Sequence, residues 1–275
     1  MNVNCILLPW LHRGLRLTLA LVCASGAAAN AEQVSSQAES PARSESGAYV
    51  RLGVGVDWPE ATGFRDNDCS SPKALFGCRT GNNGQPIGAT GNFDPAVVMD
   101  GALGYRFNRW IRAEALLSWR PDLDFNGQSN FLGAAGRNQP VSGAVSSVAG
   151  FGVAYVDLPK VGKLRPFLGA GLGVARNRID SLHFQFPGLS ATAITNVPGG
   201  SSIDMAYLLT AGISVPVNNR LDLDLAYRFT DLGRVTTGSG QALVVRPAGT
   251  FNIPIGGTSA DLQTQGVIMS LRYAF

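Results

Sequence analysis

Cysteine is scarce, with 4 in 275 residues, and histidine scarcer, with 2. Cysteine is too scarce for a disulfide-stapled scaffold or a zinc array. Charge is thin as well: Asp, Glu, Lys and Arg make up 15% of the chain, against roughly a quarter in ordinary soluble domains. With 22 basic and 19 acidic residues, the chain lacks the cationic footprint that nucleic acid requires, so no nucleic-acid partner is expected. Yet 45% of the residues are hydrophobic, too many for a disordered chain. Glycine is what abounds, with 34 residues.

Residues 1–31 read as a secretory signal peptide. The early segment holds Arg13 and Arg16 and no acid; an apolar core covers Leu15 to Val22, and small residues lead to Ala29-Asn30-Ala31. That Ala-x-Ala pattern predicts cleavage between Ala31 and Glu32. The apolar core is far short of the ~20 residues that a spanning helix needs. Losing Arg13 and Arg16 takes the 22 basic residues to 20, against 19 acidic, and leaves His183, Cys69 and Cys78 as the mature chain's histidine and cysteines. A single close cysteine pair in an exported chain is most simply a disulfide. Closing a loop of about ten residues is worth ~2.7 kcal/mol in the chain-entropy model. Residues 32–46, rich in Ser, Glu, Gln and Ala with no apolar period, predict a flexible tail.

From Ala48 the chain alternates at period two, the mark of a strand with two unlike faces. Eight runs show it: Ala48–Trp58, Val97–Phe107, Trp110–Arg120, Ser146–Leu158, Leu164–Ala175, Ile203–Val215, Arg220–Thr230 and Gln265–Phe275. In the first, Val50, Leu52, Val54, Val56 and Trp58 oppose Tyr49, Arg51, Gly53, Gly55 and Asp57. In the seventh, Leu221, Leu223, Leu225, Tyr227 and Phe229 oppose Asp222, Asp224, Ala226 and Arg228. The fourth run is apolar or small on both faces and leaves inside and outside open. Short connections follow runs two, four and six (Asn108-Arg109, Pro159–Lys163, Pro216–Asn219), while long Gly-, Asn-, Ser- and Pro-rich ones follow runs one, three, five and seven. An even count of strands near ten residues, with alternating long and short connections, is the signature of a transmembrane β-barrel.

The fold expected over residues 47–275 is therefore all-β: an eight-stranded antiparallel up-and-down transmembrane β-barrel. A mid-membrane Arg or Lys on the lipid face costs roughly 2–4 kcal/mol, so the charged face must point inward. The expected lumen charges are Arg51, Asp57, Asp100, Arg106, Arg112, Glu114, Arg120, Asp222, Asp224, Arg228 and Arg272. An eight-stranded barrel is just wide enough for side chains to fill, and near-balanced charge there predicts an ion-paired plug. The glycines of Gly169-Ala170-Gly171-Leu172-Gly173 are expected to make room for arginines. Aromatic residues at run ends, among them Trp58, Trp119, Tyr227 and Phe229, suit interfacial girdles. A soluble ligand-binding barrel would carry the reverse polarity.

The last run sets Val267, Met269, Leu271, Tyr273 and Phe275 on one face. A terminal Phe with an aromatic two residues before it resembles the assembly signal of outer-membrane barrels, read by the barrel-insertion machinery. Together with Pro166–Ala175, Gly104-Tyr105-Arg106-Phe107 and Tyr227-Arg228-Phe229-Thr230-Asp231-Leu232-Gly233, it makes residues 47–275 resemble the small opacity-protein-like and OmpA-type barrels of alphaproteobacterial surfaces. The resemblance implies an integral protein of the Gram-negative outer membrane with both termini periplasmic, in contact with lipid and lipopolysaccharide. It departs where Gly150 and Gly152 stand for more polar residues, and in its long first and fourth loops.

The family resemblance implies a structural or surface-interactive role, with the loops open to an extracellular host or phage partner. The alternatives are a narrow porin and a lipid-A-modifying enzyme. The enzyme would need a nucleophile and a base. His183, close in sequence to Ser181 and Asp180, is the one candidate base and reads as a surface-loop residue. No enzymatic activity, cofactor or metal is expected. Gly169-x-Gly171-x-Gly173 lacks the spacing of a dinucleotide fingerprint and reads as strand packing. Phe125, Phe131, Phe184 and Phe186 read as scattered loop hydrophobes.

Overall fold

In the computed structural model, residues 46–69, 79–132 and 136–275 are described, and all belong to one unit, Arg43–Phe275. The expected signal peptide (1–31), its Ala31/Glu32 cleavage point, the tail up to residue 45 and Cys78 lie outside the described residues.

Eight long strands close into a ring. They are β1 (Gly47–Pro59), β4 (Ala96–Arg106), β5 (Ile111–Ser129), β6 (Pro140–Asp157), β7 (Arg165–Gln185), β8 (Ile194–Pro216), β9 (Leu221–Thr236) and β12 (Thr258–Ala274). Each pairs antiparallel with its neighbours in chain order, and β1 closes the ring on β12 with Tyr49 opposite Ala274 and Pro59 opposite Thr264. Four short strands complete the sheet: β2 (Thr62–Asp66) and β3 (Ala89–Phe93) between β1 and β4, and β10 (Gly240–Arg246) and β11 (Gly249–Ile255) between β9 and β12. At one end the turns are tight. Asn108 and Asn218 shape two of them alike: each Oδ1 accepts from the backbone N–H groups two and three residues on, at 2.8–2.9 Å.

The eight runs fall on these strands, overrunning them by at most one residue, and the assigned faces hold. Leu52, Leu103, Leu117, Leu172, Met205 and Leu225 stand exposed on the outside, as a lipid-facing band demands. The loops do not match expectation. Most of the second and third long connections is strand: β5 and β6 run on to Ser129 and from Pro140, and β7 and β8 leave only residues 186–193 between them. The first and fourth long connections hold β2–β3 and the β10–β11 hairpin, which pair with β12, β5 and β8.

This extension inverts the polarity of the barrel. Its inside is an apolar core of Phe64, Phe93, Leu123, Phe125, Ile179, Leu182, Phe184, Phe186, Leu232 and Leu262. Phe64 and Phe93 meet the Phe125 ring edge-on at 5.0 and 5.3 Å. Phe125, Phe184 and Phe186 are therefore core residues rather than surface loop hydrophobes, and Phe131 packs against the same core. The cause is solvent: beyond the membrane the outer face meets water, so apolar side chains turn inward.

Candidate functional site

The site is the lumen of the membrane-spanning part. Period two places six arginines (51, 106, 112, 120, 228 and 272) and six carboxylates (Asp57, Asp100, Glu114, Asp157, Asp222 and Asp224) inside, all buried. Every lumen charge expected from the sequence is there. The addition is Asp157. It lies on β6, whose inward face proves to be Ser147, Ala149, Phe151, Val153, Tyr155 and Asp157. Asp157 itself was the available signal, because a carboxylate at a strand end must avoid lipid as the arginines do. Gly150 and Gly152 consequently face outward and do not replace polar lumen residues.

The charges interlock. Arg51 clasps Glu114, with Nη2 2.7 Å from Oε2 and Nε donating at 3.1 Å. Arg120 reaches Asp57 at 2.6 Å, Arg228 reaches Asp100 at 2.7 Å, and Arg112 reaches Asp157 at 3.0 Å. Arg272 bridges Asp222 and Asp224 at 3.0 and 3.2 Å, and Arg106 lies 3.4 Å from Asp157. Hydroxyls take up further lone pairs, although Asp157 Oδ2 and Asp224 Oδ2 accept no hydrogen bond. Tyr49 and Tyr155 both donate to Glu114 at 3.0 Å, Ser118 to Asp100 at 2.8 Å and Ser214 to Asp224 at 2.5 Å. Removing charge from water costs several kcal/mol per ion, offset only by such pairing and bonding.

Two glycines seat the tyrosines. Gly104 stands opposite Tyr49 and Gly169 opposite Tyr155. A Cβ on Gly169 would lie 2.5 Å from the Tyr155 ring, and one on Gly104 would strike the Tyr49 ring. Gly169 and Gly171 thus make room for Tyr155, Val153 and Leu208, and Gly173 for the β6 backbone at Gly150, rather than directly for arginine. Arginine profits at one remove: the Arg112 guanidinium lies 4.3 Å over the Tyr155 ring and 4.7 Å over Phe167.

Little space is left. A mid-lumen cavity between Arg51, Asp100, Arg112, Tyr155, Asp224 and Arg228 measures about 20 Å³, room for roughly one water. Below it, at the tight-turn end, a basic vestibule of about 350 Å³ opens among Arg106, Arg109, Lys160, Arg165 and Arg272. Above it the apolar core closes the extension. There Arg246 lies 4.5 Å over the Phe186 ring and donates to the Ile194 carbonyl at 2.9 Å; burial pulls its guanidinium below the ordinary arginine range. No cluster of three His, Cys, Asp or Glu side chains fit to hold a metal occurs among the described residues.

The other expected site residues fall apart from the lumen. Val267, Met269, Leu271, Tyr273 and Phe275 line up on the outer face, with the Tyr273 and Phe275 rings 5.7 Å apart. Cys69 ends the first described stretch of the first long connection, which resumes at Arg79. His183 is not in a loop: it sits in β7, opposite Asn196 of β8.

A family model described as "Outer membrane protein beta-barrel domain" matches residues 17–275. An uncharacterized protein of Brucella suis biovar 1 is 28% identical over 199 residues, 66% of this chain and 67% of its own. Among solved structures, the outer membrane protein OprG from Pseudomonas aeruginosa is 12% identical, with TM-score 0.46, over 84% of this chain and 97% of its own. Neisserial surface protein A is 14% identical, with TM-score 0.44, over 83% and 97%. The chain belongs to the outer membrane protein β-barrel domain family and is an integral protein of the Gram-negative outer membrane.

Proposed function

We propose that the protein is a plugged surface barrel: a membrane anchor that carries a folded platform for partner binding outside the cell. The observation that carries this reading is the lumen, where six arginines and six carboxylates interlock around a cavity of about 20 Å³. A solute path would have to break several buried ion pairs at once, at about 3–5 kcal/mol for each partner left alone. The tight-turn end, with both termini, faces the periplasm, and the extended end faces outward among lipopolysaccharide. The insertion machinery reads Val267, Met269, Leu271, Tyr273 and Phe275.

The extension offers the binding surface. An open, mostly polar notch of about 760 Å³ lies between β2, β3 and β12, lined by Thr62, Arg65, Asn92, Ser259 and Asp261. Its partner would be a host or phage component. A Cys69–Cys78 disulfide would stiffen the connection leaving β2.

Two measurements test the proposal. The folded protein in planar bilayers should give no conductance steps above the lipid baseline. Steady small steps would favour the narrow-porin reading instead. An epitope inserted at the β10–β11 turn beside Gly249 should be bound by antibody on intact cells; access only after lysis would reverse the orientation. Slower migration in SDS after boiling would establish that the tested sample was a closed barrel.

A further inference from the structure

One cluster of reactive side chains lies outside the lumen. On the outer face of the extension, Ser181 Oγ is 2.7 Å from His183 Nε2, and His183 Nδ1 is 2.8 Å from Asn196 Oδ1. An amide oxygen has no proton to give, so Nδ1 carries the imidazole proton and donates it to Asn196. Nε2 then holds its lone pair toward the Ser181 hydroxyl. That is a nucleophile, a general base and a positioning residue in sequence. We propose that Ser181, His183 and Asn196 form a serine esterase site acting on carboxylic esters in the aqueous layer above the membrane.

Local structure supports the assignment. β7 carries a bulge at Asp180–Ser181: three steps from Ile179 to Leu182 oppose two from Val145 to Gly143. Ile179 and Leu182 both point inward, fully buried, so the bulge turns Ser181 outward on the face of His183. Bulges of this kind re-aim side chains beside active sites. Asn196 is paired on both sides, with His183 on β7 and Leu243 on β10. A residue so held keeps its amide in place against water. The two bonds join exposed groups, where a hydrogen bond adds only about 0.5–1.5 kcal/mol to stability. The fold does not require them. Leu243, exposed beside Asn196, and Pro198, opposite Ser181, give an acyl group an apolar rest.

Position restricts the substrate. The outward apolar residues of β7 end at Val174, and Arg176 and Arg178 follow on the same face. Arg176 and His183 are seven positions apart, one of them taken up by the bulge, which is roughly 15 Å of height for a strand tilted by about 40°. Acyl esters of membrane lipids lie below that reach. Soluble esters and ester groups on surface glycans lie within it.

The chemistry balances with these residues and water. Ser181 Oγ bonds to the ester carbonyl carbon while its proton passes to His183 Nε2. The carbonyl–alkoxy bond breaks, and the departing alcohol takes that proton. Water then attacks the acyl-Ser181 carbonyl and gives a proton to Nε2. The bond to Oγ breaks, and Oγ recovers the proton, releasing the acid.

The test uses the full chain folded in detergent micelles, with closure checked by heat-dependent mobility in SDS. A fluorophosphonate probe should label the protein at Ser181, and p-nitrophenyl butyrate should be hydrolysed. Ser181→Ala and His183→Ala should keep the closed-barrel mobility and lose both signals at least 100-fold. Asn196→Leu should lose hydrolysis at least tenfold, whereas Asn196→Asp, which keeps an acceptor toward Nδ1, should restore it. Phospholipid vesicles should release no fatty acid. Labelling that persists in Ser181→Ala, or no labelling of the closed barrel, overturns the proposal. Fatty-acid release that depends on Ser181 overturns its placement above the membrane.

Discussion

Replacing Glu114 by Gln removes one charge from the centre of the lumen while keeping the side chain's shape. The consequence follows from what Glu114 receives. Its two oxygens accept only from donors: Arg51 at 2.7 and 3.1 Å, and Tyr49 and Tyr155 at 3.0 Å, with Arg112 Nη1 a further 3.5 Å away. A tyrosine hydroxyl can turn and accept from the new amide. A guanidinium cannot, and six buried arginines would then face five carboxylates. Two charges about 4 Å apart at an effective dielectric constant near 20 attract by about 4 kcal/mol, and removing one member of a buried pair typically costs about 3–5 kcal/mol. With a urea slope of about 2 kcal/mol/M, the unfolding midpoint in lipid vesicles should fall by about 2 M. Adding Arg51→Met to the same chain restores charge balance and should recover half of the loss or more, a coupling that a double-mutant cycle reads directly. A midpoint shift under about 0.5 M for Glu114→Gln, with no recovery in the double variant, would show that the lumen is hydrated and that the plug is not what closes it.

Three further substitutions probe other parts of the structure. Gly169→Val drives a side chain into the Tyr155 ring and should destabilise by about 1–3 kcal/mol, with near-ultraviolet dichroism reporting the displaced tyrosine; an unchanged spectrum and midpoint would refute the seating role. Leu225→Arg, in the exposed apolar band, should cost about 2–4 kcal/mol in bilayers, whereas Leu243→Arg in the extension should stay within about 0.5 kcal/mol; equal costs would misplace the membrane. Phe125→Ala, between Phe64 and Phe93, should cost about 3–5 kcal/mol and open the extension to limited proteolysis, an outcome that separable loops would not give.

The spanning part was legible because lipid punishes error. Asp222, Asp224 and Arg228 on β9 cannot face hydrocarbon, so one register survives a one-residue slip, and the same argument orders β1, β4, β5 and β12. β6 resisted because both of its faces are small or apolar, and only Asp157 distinguishes them. The plug was legible as composition but not as pairing. That Tyr49 and Tyr155 converge on Glu114 follows from three-dimensional closure between strands 41 to 106 residues apart, and no local period encodes it.

The extension was missed for two physical reasons that act at the same level of the barrel. First, bulges break the period. On β5 the buried positions run Arg112, Glu114, Leu116, Ser118 and Arg120, then switch to Leu123 and Phe125. On β9 they run through Asp222, Asp224, Arg228, Thr230 and Leu232, then switch to Val235, with Gly233 at φ +73° supplying the extra residue. An alternation followed in register ends at each of these points: the expected run on β5 stops at its bulge, at Arg120, and those on β7 and β9 stop at Ala175 and Thr230, a few residues short of theirs. Second, the solvent outside changes from hydrocarbon to water. The same hydrophobic effect that sends Leu225 outward in the membrane sends Phe125 and Phe184 inward above it. Glycine, asparagine and serine on the outer face then look like loop composition, although they are the wet side of a sheet. The Ser181–His183–Asn196 cluster lies in that zone. Its members are two and thirteen residues apart, and strand pairing rather than sequence distance brings Asn196 to the ring.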